Sequence, residues 1–86
     1  MTSVLIIDDH PIVLQGCRRM LEDAGVQRVL EARDPTSGYR LYRRHHPDVV
    51  IVDLAMQGSG LGGLEVIRRM RSHDPRTRIL VFSMHS

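Results

Sequence analysis

The stretch VLIIDD at residues 4–9, with its counterpart DVVIVDL at residues 48–54, decides how this chain is read. Each is a run of mostly branched aliphatic residues ending on carboxylates, Asp8 and Asp9 in the first and Asp53 in the second. Strands of a parallel sheet are buried on both faces and read as unbroken apolar runs. Their C-terminal ends line the ligand crevice of an open α/β sheet. If the two runs are neighbours in one sheet, three carboxylates meet at one edge. Carboxylates that close repel one another unless protons or a cation intervene. Oxygen-only ligands, with no cysteine or ordered histidine cluster beside them, favour a hard ion such as Mg²⁺.

Working outward, strand and helix signals alternate. Residues 3–8 read as the first strand, and Pro11 suits the first turn of a helix. Val13, Cys17, Met20, Leu21 and Ala24 recur at helical spacing as its apolar face, and Gly25 is the expected stop. Residues 27–32 form a second, shorter strand. Asp34 and Pro35 supply an N-cap and first-turn proline for a helix to about His46, where Pro47 forbids continuation. Residues 48–53 are the third strand. A glycine-rich loop leads to a helix from about Gly63 to His73, with Leu64, Ile67 and Met70 inward. Asp74-Pro75 breaks it, and residues 78–83 read as a fourth strand. This β-α-β-α-β-α-β pattern implies a parallel α/β sheet with right-handed crossovers. With strand order 2-1-3-4, the first helix covers one face and the next two cover the other. The order reverses between strands one and three, the point where a ligand is expected and where Asp8, Asp9 and Asp53 end.

The chain has 86 residues, the size of one small domain or part of one. Its single cysteine, Cys17, excludes an internal disulfide and fits a reducing compartment. No signal peptide or long apolar span is visible, so the expectation is a cytoplasmic protein with no membrane partner. All twelve basic side chains are Arg, scattered in pairs beside acidic residues, and a net charge of +2 is too small to argue for DNA. Taken singly, Asp9 suits a cap for the helix at Pro11, and Ser83 an ordinary strand-end hydroxyl. His10 reads as a packing or capping residue. His45, His46, His73 and His85 lack metal-ligand spacing and read as surface residues. Gly58, Gly60 and Gly63 formally match a dinucleotide fingerprint. Four residues separate Asp53 from the first glycine, however, and no acidic residue ends strand four to hold a ribose. A Walker A loop is excluded by the missing Gly-Lys-Ser/Thr.

Taken together, VLIIDDHPIVLQGCRRMLE, DVVIVDLAM and GLEVIRRMRSHDPRTRILVFSMHS resemble the receiver domain of bacterial two-component response regulators, in its LuxR/NarL-type branch. The resemblance spans essentially the whole chain. It implies a flavodoxin-like three-layer fold with a parallel sheet. It also implies that Asp53 is the phosphoacceptor and that Asp8, Asp9, Asp53 and the backbone carbonyl of Ala55 hold Mg²⁺. Ser83 would hydrogen-bond a phosphoryl oxygen and sense it, and the backbone N–H groups of Ala55 and Met84 would cradle the phosphoryl group. A sensor histidine kinase would be the donor, and the chain would assist its own phosphorylation without being a turnover enzyme. DNA would be reached only through an output domain outside these residues.

The sequence departs from that pattern in three places. The loop after Asp53 carries two extra residues and has Gln57 where the branch usually has proline, and its glycines imply a more flexible backbone. The family's strand-five Lys has no counterpart, since the chain contains no Lys. Residues 1–86 read as a single, partial receiver lacking the last helix-strand-helix. RILVFS at residues 78–83 then becomes an open edge, and such edges recruit other strands. The expectation is a homodimer or element-exchanged oligomer through strand four, with weak phosphorylation. The main alternative is a receiver-like interaction module that is not phosphorylated. A nucleotide-using enzyme ranks third.

Overall fold

The computed structural model describes residues 1–56 and 62–82. In chain order these form β1 (Ser3–Ile7), α1 (Pro11–Asp23), β2 (Arg28–Ala32), α2 (Pro35–His45), β3 (Val49–Asp53), α3 (Gly63–His73) and β4 (Arg78–Phe82). The four strands make one sheet ordered β2-β1-β3-β4, every neighbouring pair parallel, as the alternation of apolar runs implied. Several ends fall a residue or so inside the expected ones, the ordinary uncertainty of element boundaries.

Side-chain alternation along the strands sorts the core into two clusters. Leu5, Ile7, Val50 and Val52 face Tyr42 of α2 and Val66 and Met70 of α3. Val4 and Ile6 face Leu14 of α1. The first helix therefore lies on one face and the other two on the opposite one, so the crossover hand was legible in the strand order.

Both helix faces need correction. In α1 Leu14 is buried and Cys17 and Leu21 pack against the same cluster as expected, while Met20 is 68% exposed and Ala24, the C-cap, is exposed. The run Ile12-Val13-Leu14 leaves the inward direction ambiguous by one residue, about 100° of helix rotation. Centring the face on Val13 turned it too far. In α3 Leu64 is exposed and Val66 is buried, with Ile67 and Met70 inward as expected.

Local signals fix the ends. Asp34 caps α2 by accepting from the Ser37 backbone N–H at 2.8 Å and its hydroxyl at 2.9 Å. At the end of α1, Gly25 takes φ 92°. Its N–H donates to Glu22 O, and that of Val26 to Leu21 O, the paired bonds of a Schellman motif. Gly63 opens α3 where a Cβ would lie 3.1 Å from the Asp53 carbonyl oxygen. This glycine has a packing reason, separate from any phosphate cradle. β4 pairs with β3 on one side, and among the described residues Leu80 and Val81 are exposed on it.

Candidate functional site at the carboxyl edge of the sheet

The register of β1 against β3 pairs Ile7 with Val52. Carried one residue further, it sets Asp8 beside Asp53, so the sheet itself brings the two apolar runs' carboxylates together. Asp8 and Asp53 are both completely buried. Asp9 follows at the start of the connection to α1, with one-third of its side chain exposed. Asp8, Asp9, His10 and Asp53 each offer a donor atom, and these atoms lie within 4.8 Å of one another.

Hydrogen bonding fixes one oxygen of each buried carboxylate and leaves the other free. Asp8 Oδ1 accepts from the His10 backbone N–H at 2.8 Å, and Asp53 Oδ1 accepts from the Ala55 N–H at 2.8 Å. Asp8 Oδ2, Asp9 Oδ1 and Asp53 Oδ2 are buried with no hydrogen-bond partner. Three orphaned anionic oxygens in one pocket are costly to bury unless something positive meets them. Their chemistry fits a hard divalent cation.

His10 was missed as part of this cluster. It is the N-cap residue of α1, but its side chain makes no capping bond and does not enter the core. Its Nδ1 lies 3.0 Å from Asp8 Oδ1, 2.9 Å from Asp9 Oδ1 and 3.8 Å from Asp53 Oδ2. The hydrogen bond to Asp8, followed by the charge of Asp9, raises the His10 pKa above its ordinary value. The available signal was position: His10 directly follows the Asp pair and precedes Pro11, which restricts its backbone to the extended region. Asp9 makes no side-chain cap either.

The other expected residues divide in two. The Ala55 N–H, expected to face a phosphoryl group, bonds instead to Asp53 itself. Ser83, Met84, His85 and the glycine loop at residues 57–61 lie outside the described residues. Of the remaining histidines, His46 and His73 are exposed and His45 is partly buried beside Arg28. A separate concavity of about 470 Å³ between α2 and α3 is lined by Tyr39, Arg43, Arg68, Arg69 and His73 among others. It includes none of the three orphaned oxygens, so the carboxylate edge is the candidate site.

A parallel 2-1-3-4 sheet with buried acidic residues at its switch point is a flavodoxin-like α/β domain with an acidic pocket where such folds bind ligands. Residues 4–86 match the family model of the response regulator receiver domain, and the chain belongs to that family. The nitrate/nitrite response regulator protein NarP of Escherichia coli is 46% identical over 83 residues, covering 95% of this chain and 38% of that protein. A two-component response regulator of the LuxR family from an Aurantimonas species is 42% identical with a TM-score of 0.82, covering all of this chain and 61% of that one. RcsB from Salmonella enterica, solved bound to a promoter in the presence of the phosphomimetic BeF3⁻, is 34% identical with a TM-score of 0.86. That match covers all of this chain and 44% of RcsB. The chain spans about two-fifths of the length of the curated relatives it matches, 38% for NarP. Receiver domains of response regulators are generally regulatory rather than turnover enzymes. Among the described residues, no helix is long and apolar enough to cross a membrane.

Proposed function

We propose that this chain is the phospho-accepting switch of a two-component response regulator, with Asp53 as the acceptor. The observation that carries the reading is the pair of fully buried carboxylates, Asp8 and Asp53, each with an unpartnered Oδ2 at the sheet's switch point. A buried carboxylate oxygen left unpaired is poised to ligate a cation or attack an electrophile.

Asp53 acts as an oxygen nucleophile toward phosphorus. The P–N bond to the phosphohistidine of a sensor kinase breaks, its electron pair leaves on the imidazole nitrogen, and an acyl phosphate forms on Asp53. The bond from the Ala55 N–H holds Asp53 Oδ1 and leaves Oδ2 as the free atom. Asp8, Asp9, Asp53 and the Ala55 carbonyl are the groups that would hold Mg²⁺. When bound, the ion supplies charge neutralisation for the transferred group. The family pattern gives Ser83 and the Met84 N–H the task of contacting phosphoryl oxygens. The phosphorylated receiver then changes its protein contacts, and transcriptional output would act through a DNA-binding domain beyond these residues, in the cytoplasm.

Intact-mass measurement after incubation with Mg²⁺ and acetyl phosphate tests this reading. One phosphoryl adduct is expected, absent from Asp53→Ala. No adduct in the folded wild-type chain, or an adduct that persists in Asp53→Ala, would overturn the assignment. The first of these would leave the interaction module as the better description.

A further inference from the structure

We propose that His10 is a fourth side-chain ligand of the acidic site, so that the site takes an imidazole-seeking first-row dication such as Co²⁺ in competition with Mg²⁺. The inference rests on the metal-binding reading above and goes beyond it in the ligand set and the class of ion.

The geometry is that of a coordination sphere. In an octahedron with bonds of about 2.1 Å, adjacent ligand atoms lie about 3.0 Å apart. His10 Nδ1 stands 3.0 Å from Asp8 Oδ1 and 2.9 Å from Asp9 Oδ1. Hydrogen bonding accounts for only one of these approaches. An Nδ1 atom carries at most one proton, and Asp8 Oδ1 is its hydrogen-bond partner. Asp9 Oδ1 sits just as close, as an ion-pair neighbour without a hydrogen bond, and Asp8 Oδ2 and Asp53 Oδ2 are buried with no hydrogen-bond partner. The nitrogen thus stands at ligand-to-ligand spacing from two carboxylate oxygens, beside a pair of buried oxygens that no hydrogen bond reaches.

The backbone that carries the ring is also held. The Asp8 side chain accepts the His10 backbone N–H, and Pro11 restrains the same residue from the other side. Imidazole nitrogen adds little for a hard ion that prefers oxygen, but it raises affinity for later first-row dications. A single His beside three Asp therefore shifts selectivity without removing the oxygen set that Mg²⁺ would use.

The test is calorimetric titration of the metal-free chain with Co²⁺ and separately with Mg²⁺, for wild type, His10→Ala and Asp53→Asn. Electron spin-echo spectra of bound Mn²⁺ provide a direct readout of nitrogen coordination. Removing even a hydrogen-bonding partner of a ligand costs roughly tenfold in affinity, so His10→Ala is expected to lose at least about tenfold for Co²⁺. Its Mg²⁺ affinity is expected to stay within roughly threefold of wild type. Nitrogen coupling to Mn²⁺ is expected in wild type and absent from His10→Ala, while Asp53→Asn weakens both ions. Unchanged Co²⁺ affinity in His10→Ala, or tighter binding of both ions, would overturn the proposal and leave His10 a hydrogen-bonding neighbour. If wild type binds Mg²⁺ but shows no nitrogen coupling, the ligand role alone fails. If it binds neither ion, the metal-site reading fails with it.

Discussion

Replacing Asp53 with Asn should make the metal-free protein more stable. Asp53 is fully buried, and its donor oxygen lies within 4.8 Å of those of Asp8 and Asp9. Two unit charges at that separation repel by about 3.5 kcal/mol at an effective dielectric of about 20, so Asp53 experiences up to roughly twice that from its two neighbours. His10, 3.8 Å from Asp53 Oδ2, and the partial exposure of Asp9 return part of it. Asparagine keeps an Oδ1 to accept the Ala55 N–H and places an amide donor where an unpartnered oxygen stood. The net gain should be about 1–3 kcal/mol, which for a domain this size raises Tm by on the order of 10 °C. Mg²⁺ should act oppositely. At a hundredfold excess over Kd it adds about 2.7 kcal/mol to a protein that binds it only when folded. Wild type should gain that increment and Asp53→Asn little of it. Thermal and urea unfolding in EDTA and in MgCl₂ would measure both effects. An Asn variant less stable than wild type in EDTA, or one with an undiminished Mg²⁺ response, would refute the reasoning.

Three further outcomes are expected. Gly25→Ala forces a Cβ into φ 92° and should cost about 1–2 kcal/mol by urea unfolding, with the burial of α1 otherwise untouched. Asp34 has its pKa lowered by the Ser37 backbone and hydroxyl hydrogen bonds. Its capping stability is therefore present above the unfolded carboxylate pKa and is lost as pH falls through the lower folded value. Asp34→Asn keeps the cap without that titration and should lose less stability than wild type on acidification, whereas Asp34→Ala should cost about 0.5–2 kcal/mol at neutral pH. Among the described residues β4 is the outer strand beside β3, with Leu80 and Val81 exposed, and an apolar strand edge invites pairing. Light scattering should show a mass that rises with concentration and falls back in Leu80→Lys/Val81→Lys, and a concentration-independent monomer would count against this.

The sheet was legible because buried parallel strands leave continuous aliphatic runs, and because Asp34, Gly25 and the Asp74-Pro75 pair punctuate the helices. Helix rotation was less so. Ile12-Val13-Leu14 and Leu64-Glu65-Val66 each offer two apolar candidates for one inward position, and only packing against β1 and β3 selects Leu14 and Val66. The convergence of Asp8 with Asp53 followed from two strand ends and a strand order. His10 did not, because nothing in its residue type separates a cap from a ring lying over carboxylates. That distinction depends on the turn in which the Asp8 side chain accepts the His10 N–H.

The central claim is that Asp53 carries the phosphoryl group, and chemical mapping tests it most directly. After reaction with acetyl phosphate and Mg²⁺, borohydride reduces an acyl phosphate to an alcohol, which converts the modified aspartate to homoserine. Peptide mass spectrometry should find homoserine at position 53, dependent on Mg²⁺. Homoserine at Asp8 or Asp9 instead, or none at any position while the chain remains folded, would contradict the account.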